Sequence, residues 1–465
     1  MKTRPLLLLL LGGAAAFGQM SNNPPDDSTL LRAQAVLEIV TEHHPVARQA
    51  RLRLEGADAE ALKSKGGFDP KLFSEMEQKY FQEKNYYWLH QSGVQIPTNF
   101  ALQFKAGYQQ HRGVFLNPEN QLPATGLYFL EAELPLLQGL FIDERRAAFR
   151  KARLLQDASR EEARWAINKL LIESLAAYWQ WYQRFQTAQT FQDALATATE
   201  RLVAVKKRVA TGEKAAIDTL EATIQRQDRY LKWQNARDQA QKARRNLENY
   251  LWLEGSVPLE LNSQTSPAYQ PPSLLPPDAD TLLAGHPRLN VLEAKRQMAD
   301  VDRRWAVEQF KPQLDLRYKL LSQPAPAAEL WQQYNPDNYT WGFSASFPLF
   351  LRKARGAQQK AQVKMNTLQL KRQQKRRELT NKLRALRRSY QLQAQQVQEA
   401  RQMANNYREL AAAEQEKFAV GESSLFLINS RELKYLQSLQ KVWQLHNKFH
   451  STRNEYLGTA ALLYP

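Results

Sequence analysis

The chain has 465 residues, and its 64 Lys and Arg exceed its 47 Asp and Glu, which gives a net charge of +17. The charged fraction of 24% is ordinary. The excess fits a nucleic-acid or acidic-membrane partner, but we favour a set of long, solvated helix faces as its explanation. Cysteine is absent, which excludes disulfides, thiolate metal sites and a lipidated N-terminal cysteine.

The first 19 residues have the pattern of a secretory signal peptide. Lys2 and Arg4 provide a charged start, a leucine run reaches Leu11, and small residues follow up to Gly18. The leucine run is too short to span a bilayer as a helix, and no later window of about 18 apolar residues exists. We therefore predict an exported protein whose only means of crossing a membrane is β-strands.

Residues 20–254 are predicted to form a first repeat. It contains a helix over 29–65 that is interrupted near Pro45, strands at 71–81 and 128–134, and helices over about 144–209 and up to about 253. A break at Thr211-Gly212 separates the two later helices. Alternation at 94–96 and 100–108 predicts an extra hairpin with its turn at 97–99, or a large irregular surface loop.

A Pro-rich linker is predicted at 255–281, after which the order of elements starts again in a second repeat, 282–465. Four motifs of the first repeat have a counterpart in the second, in the same order. The pairs are His44-Pro45 and His286-Pro287, Phe68-x-Pro70-x-Leu72 and Phe310-x-Pro312-x-Leu314, Leu134-Pro135-Leu136 and Phe347-Pro348-Leu349, and Thr211-Gly212-Glu213 and Val420-Gly421-Glu422. This agreement predicts a tandem duplication.

The stretch from Tyr339 to Phe347 alternates strictly between large apolar and small polar residues. It fits a membrane strand with one face towards lipid, or an ordinary half-buried strand of an α+β domain. Leu314–Leu320 alternates in the same way, and an exposed loop is predicted at 322–337. Pro348 ends the alternation, and a very basic helix begins at about Arg352.

The small number of strands per chain predicts an oligomer if the strands cross a membrane. One chain supplies four strands, or six with the extra hairpin, whereas the smallest membrane barrels need about eight. An open sheet in lipid would leave its edge amides unpaired. Either several chains pool their strands, or these are not membrane strands.

The helix predicted over 352–418 would be about 100 Å long at 1.5 Å per residue. Its apolar stripe indicates helix packing rather than a cofactor site, as does a shorter stripe in the first repeat. The stripes are Leu379, Leu383, Leu386, Tyr390, Ala394, Val397, Ala404, Tyr407 and Ala411, and Ile167, Leu171, Leu175, Tyr178, Tyr182 and Phe185.

The signal peptide, the two tandem halves, the strand-Pro-to-helix junctions and the glycine breaks together resemble the TolC-like outer-membrane efflux protein family. The resemblance implies a mixed fold, an all-α tunnel plus a transmembrane β-barrel, in which a trimer pools its strands into one barrel. Long antiparallel helical hairpins would form the tunnel in the periplasm of a Gram-negative bacterium. It also implies a periplasmic adaptor and an inner-membrane transporter as partners, with export of small molecules or protein.

The resemblance places site residues in two regions. The adaptor would dock at the helix tips, and acidic residues near the tips would line the pore aperture. Pro135 and Pro348 would mark the strand-to-helix switch. The tip candidates are Gly212, Glu213, Gly421 and Glu422, and the aperture candidates are Asp218 and Glu221 with their second-repeat equivalents Leu427 and Ser430. Asp218 and Glu221 also fit ordinary acids in the first turn of a helix.

No motif for catalysis, metal binding or cofactor binding is present, so neither enzymatic activity nor a cofactor is predicted. Fourteen Lys and Arg stand between Arg352 and Arg388 against Glu378 alone, which on a cytosolic protein would indicate nucleic-acid binding. The signal peptide argues against nucleic acid and favours contact with anionic lipid or steering of anionic substrates. The alternatives are an exported structural coiled coil and a polyanion-binding coiled coil.

Overall fold

The computed structural model describes residues 30–269, 271, 282–324 and 335–464. The signal peptide predicted at the N-terminus and the middle of the loop predicted at 322–337 lie outside these residues. Among the described helices, none combines the length and the apolar character that a bilayer crossing requires.

The described part of the first half runs from strands and short helices into two long helices. Its elements are β1 (Leu30–Leu31), α1 (Ala33–His43), α2 (Pro45–Lys65), β2 (Lys71–Phe81), β3 (Lys84–Pro97), β4 (Gln103–Arg112), β5 (Leu127–Pro135), α3 (Glu144–Ala210) and α4 (Ala216–Glu248). The second predicted long helix therefore ends at Glu248 rather than near Leu253.

The remaining elements begin with three very short strands and then follow the same order of helix, strands, long helix and helix. They are β6 (Trp252–Leu253), β7 (Val257–Pro258), β8 (Ser266–Pro267), α5 (Pro287–Glu308), β9 (Gln313–Ser322), β10 (Tyr339–Ser346), α6 (Arg352–Ala419) and α7 (Leu425–Thr459). The Pro-rich segment predicted at 255–281 thus carries structure over its first part, where β8 pairs with β1.

Six strands form one antiparallel sheet in the order β10-β9-β5-β4-β3-β2. The predicted extra hairpin is present as β3 and β4, and the alternative of an irregular loop is wrong for these residues. Its second strand begins at Gln103 rather than Phe100, which lies in the turn and is 85% exposed. The sequence also missed most of β3, because a turn at Gln82-Glu83 has positive φ at both residues without a glycine.

The register gives the sheet two chemically different faces. On one face, Trp341 of β10 lies opposite Tyr318 of β9, and Tyr318 lies opposite Ala132 of β5. On the other face, Glu131 lies between Lys105 and Lys319 on its two neighbouring strands. One face is therefore largely apolar across β10, β9 and β5, and the other carries charges.

The helices α2, α3, α5 and α6 lie side by side in this order, because α3 packs against both α2 and α5, and α5 packs against α6. Farther from the sheet, α4 packs on α3, and α7 packs on both α6 and α3. α3 has 67 residues and α6 has 68, so each is about 100 Å long. The long helices predicted from the sequence are confirmed.

Both His-Pro pairs cap a helix in the same way. His44 Nδ1 accepts a hydrogen bond from Val46 N at 3.1 Å, and His286 Nδ1 accepts one from Arg288 N at 3.2 Å. In each case the proline occupies the first helical position, where its missing N–H has no helical partner to lose. The histidines therefore set the start of α2 and α5.

The predicted apolar stripes are mostly buried. On α6, Leu379, Leu383 and Tyr390 are buried, whereas Ala394 is exposed and Gln393 takes its place inside. On α3, four members of the stripe join the largest buried cluster of the described residues, together with α1, α2 and the end of α4; they are Ile167, Leu171, Tyr178 and Tyr182. This cluster fixes the middle of the molecule.

We call the segments 30–43 and 251–269 the belt, because they wrap across the helices at this level. The Tyr178 hydroxyl of α3 lies 3.0 Å from Leu31 O and 2.6 Å from Ala268 O, so one side chain ties both segments of the belt to the helix. Burial raises the pKa of Tyr178 well above its usual range, so this hydroxyl stays protonated and able to donate.

Candidate functional site at the helix tips

The turns at the far ends of the two long helices have the same geometry. Gly212 has φ of +81° and Gly421 has φ of +87°. Residues that carry a Cβ rarely adopt these values, whereas glycine does so readily. Glu213 N donates to Arg208 O at 2.9 Å, and Glu422 N donates to Lys417 O at 2.8 Å. Each turn is a Schellman motif, which explains why glycine stands at both predicted breaks.

Both glycines, and the glutamates that follow them, are exposed. An added Cβ at Gly212 or Gly421 would meet no atom within 4 Å, so nothing in the described structure packs over the turns. The two tips therefore offer a free surface of backbone and carboxylate.

The two tips are held together by a small apolar cluster. Buried Val205, Ala222 and Leu425 form its centre, and Phe418 packs against it. Lys214 Nζ lies 4.9 Å from the centre of the Phe418 ring, and the Arg208 guanidinium lies 6.0 Å from it. Each cation faces the aromatic ring, which adds an attraction between the two turns.

A polar network next to this cluster joins α3, α4 and α7. Arg201 forms a two-pronged ion pair with Glu432, in which Nη1 to Oε2 is 2.8 Å. Buried Asn429 lies 3.4 Å from Arg201 Nη1 and donates to Glu221 Oε1 at 3.0 Å. Arg201 and Glu432 have side chains only 11% and 21% exposed, so this pair is largely shielded from water.

The aperture candidates are thus not equivalent. Glu221 is half-buried and engaged with Asn429, whereas Asp218 is half-buried in the first turn of α4, where the helix dipole favours an acid. Leu427 is 40% exposed in the first turn of α7, and Ser430 is half-buried one turn on. The sequence did not reveal Arg201 and Glu432, since nothing local links two residues on different helices.

The strand-to-helix junctions differ between the halves. Pro135 is the last residue of β5, and pairing continues beyond it because Leu136 N donates to Leu314 O at 2.7 Å. Asp143 then caps α3 by accepting from Arg146 N at 2.8 Å. Pro348 instead follows β10 by two residues, and α6 begins without a side-chain cap.

Two buried histidines lie on α7 at the level of the belt. His446 Nε2 accepts hydrogen bonds from Arg401 Nε at 3.0 Å and Nη2 at 2.7 Å, and His450 stacks on Trp179 with ring centres 3.6 Å apart. Burial, aided by Arg401, lowers the pKa of His446 to about 4, and burial lowers that of His450 to about 3. Both are neutral at pH 7. No group of three or more metal-ligating side chains occurs in the described ranges.

Comparison with known proteins agrees with this architecture. Residues 279–452 match the family model described as outer membrane efflux protein. The second part of this chain is therefore similar to an outer membrane efflux protein domain. The resemblance noted in the sequence is therefore confirmed. No curated protein matches the chain in sequence.

Solved structures extend the similarity to both halves of the chain. The outer membrane channel CmeC of Campylobacter jejuni is 13% identical with a TM-score of 0.65, over 93% of this chain and 86% of that one. VceC of Vibrio cholerae is 15% identical with a TM-score of 0.64, over 92% and 96%. The MtrE channel of Neisseria gonorrhoeae is 13% identical with a TM-score of 0.64, over 93% and 89%. These matches show that the chain has the fold of these proteins.

Proposed function

We propose that this protein is a passive exit duct in the outer membrane of a Gram-negative bacterium. In this proposal it receives small molecules or protein from an inner-membrane transporter of a tripartite efflux or type I secretion system and releases them outside the cell. The chain itself supplies a conduit and no catalysis. The observation that carries the proposal is a sheet with one apolar and one charged face, continuous with helices about 100 Å long.

The two edge strands of the sheet support assembly into a trimer. β2 and β10 each pair with one strand only within the described chain, so each leaves a row of backbone amides and carbonyls open. In a bilayer these groups must be paired. We propose that β2 of one copy pairs with β10 of the next, so that three copies of six strands close one barrel of eighteen.

The apolar face of the sheet would then contact lipid. Trp341 and Phe343 of β10 are 67% and 53% exposed, and Leu130 of β5 is 48% exposed on the same face. Large apolar side chains in this position suit the hydrocarbon region, and aromatic residues suit its borders. The charged face would line the aqueous pore.

We further propose that a periplasmic adaptor docks at the helix tips. The turns at Gly212 and Gly421 are exposed and similar in shape, so an adaptor could recognise both with one kind of contact. Asp218 and Glu221, with Leu427 and Ser430 on the other tip, would surround the aperture. Exchange of Glu213 and Glu422 for Lys would test docking by its effect on adaptor co-purification, with assembly of the protein as the control.

The experiment that tests the channel is a single-channel recording from purified protein, with its mass measured in detergent. We expect stepwise conductance and the mass of three chains. A protein that remains monomeric in buffer without detergent and never conducts would refute the proposal. Cysteine pairs placed on β2 and β10 would test the shared edge, because the chain has no native cysteine to interfere.

A further inference from the structure

The N-terminal part of α6 carries a stripe of lysines on one side. Successive members are separated by seven or four residues, which keeps them on one helix face over about 44 Å. They are Lys353, Lys360, Lys364, Lys371, Lys375 and Lys382. We call these six residues the lysine stripe. Only Glu378 opposes them on this part of the helix.

Half of the lysine stripe is paired with carboxylates. Lys364 Nζ lies 4.0 Å from Asp302, Lys375 Nζ lies 2.5 Å from Glu378, and Lys382 Nζ lies 2.9 Å from Glu455. The other three members have no carboxylate within 4 Å in the part of the chain that the structure describes; they are Lys353, Lys360 and Lys371. The stripe therefore carries uncompensated positive charge.

The groove beside the stripe is also positive. It has a volume of about 560 Å³ and lies between α2, α3, α5 and α6. Six basic and two acidic side chains line it: Arg53, Lys169, Arg288, Lys295, Lys371 and Lys375, with Glu162 and Glu378. Lys295, Lys375 and Lys169 pair with Glu162, Glu378 and Glu173 at 2.7, 2.5 and 3.7 Å. The other three basic side chains have no carboxylate within 4 Å in the described part of the chain, so the groove keeps a net positive charge; they are Arg53, Arg288 and Lys371.

This groove lies on the side of the helical layer opposite the belt. On α3, Ala166 and Lys169 line the groove, whereas Leu175 lines a cavity against α1 and Tyr178 contacts the belt. Ala166 is nine residues from Leu175, and Lys169 is nine residues from Tyr178. Nine residues make two and a half helical turns, so the two members of each pair lie on opposite faces of α3. The lysine stripe and the belt therefore lie on opposite sides of the layer formed by α2, α3, α5 and α6.

Closure of the ring decides which side is the lumen. Three copies would bring twelve helices together, and at about 10 Å between axes they enclose a lumen of roughly 28 Å. A helix of the belt is itself about 10 Å across, so three belts inside would block the passage. The belt must lie outside, and the lysine stripe must therefore face the lumen.

The sheet gives the same answer independently. Lys353, the first member of the stripe, lines a cavity of about 540 Å³ together with Gln103, Glu133 and Asp315. These three belong to the charged face of the sheet, as their pairing shows. The lysine stripe thus continues the charged face of the sheet, which cannot face lipid.

We propose that the lysine stripe makes the part of the tunnel next to the sheet selective for anions. The cargo of the channel would then consist of solutes carrying carboxylate, sulfonate or phosphate groups. The inference rests on the proposed channel function and adds a substrate class to it. Positive side chains in a narrow conduit raise the local concentration of anions and lower that of cations. The effect is screened over about 3 Å at 1 M salt but reaches about 30 Å at 0.01 M.

The test is the reversal potential of purified protein in a planar bilayer under a KCl gradient. We expect chloride to be preferred over potassium, and the preference to weaken as the salt concentration rises. Lys360→Gln combined with Lys371→Gln should lower the ratio of anion to cation permeability several-fold. The matched control is Arg355→Gln with Arg376→Gln, which removes the same charge from the other side of α6.

Potassium preference in the unaltered protein would overturn the inference while leaving the channel intact. So would an equal change in both double variants, because net charge rather than the stripe would then set selectivity. A protein that never conducts would overturn the channel function and the inference with it. A lumenal stripe also predicts that a large polyanion added on one side blocks the current in the unaltered protein and blocks it less in the lysine variant.

Discussion

The glycine at each helix tip adopts a left-handed backbone conformation, and its substitution would measure what that conformation costs a residue with a Cβ. We consider Gly212→Ala, because φ of +81° lies in the left-handed region and nothing lies within 4 Å of the added Cβ. The substitution therefore introduces no clash with a neighbour. Its effect isolates the conformational cost of the turn.

The left-handed conformation costs about 1–2 kcal/mol for a residue with a Cβ. Alanine recovers part of this, about 0.4–1 kcal/mol, because it restricts the unfolded chain. We therefore expect a net loss of roughly 1 kcal/mol in the local stability of the tip. That corresponds to about fivefold faster amide hydrogen exchange at Gly212 and Glu213, whose N–H groups donate to Val209 and Arg208.

Hydrogen exchange followed by mass spectrometry of the detergent-solubilised protein would measure this change. Gly421→Ala should have the same effect at the second tip, where φ is +87°. The control is Gly56→Ala in the middle of α2, which also meets nothing within 4 Å but has helical backbone. It should slow exchange, since glycine is about 1 kcal/mol worse than alanine inside a helix. Equal effects at Gly212 and Gly56 would refute the turn geometry.

Three further predictions concern other parts of the molecule. Arg201→Met should destabilise the tip by about 3 kcal/mol, because it leaves Glu432 largely buried and unpaired, and local hydrogen exchange that stays unchanged would contradict this. The melting temperature should fall as the pH drops from about 6.5 to about 4, since an unfolded histidine binds a proton that folded His446 excludes. His446→Gln should reduce that pH dependence, and an unaltered pH profile would exclude the histidine as its source. Trp341→Lys should prevent stable insertion into outer membranes at a cost of about 2–4 kcal/mol, whereas Ser344→Lys on the other face should be tolerated; carbonate extraction of membranes would distinguish the two.

The sequence was informative wherever a pattern is local. The long helices followed from apolar periodicity, and the glycines at both tips followed from the need for a left-handed residue at a helix end. It was less informative for β3, because the Gln82-Glu83 turn lacks the residues that usually mark a hairpin. The exposure of Ala394 beside buried Gln393 shows the same limit, since the neighbouring helix decides which face of α6 is covered.

By itself, the sequence determined the long helices, most of the strands and the excess of basic residues on α6, because helix and strand periods and charge are properties of neighbouring residues. Only the tertiary structure decided that six strands join in one sheet and that Arg201 meets Glu432. It alone also put the lysine stripe on the side of the helices opposite the belt. Contacts between residues far apart in the chain decide which strands pair and which face of a helix is covered. A local sequence pattern does not contain this information.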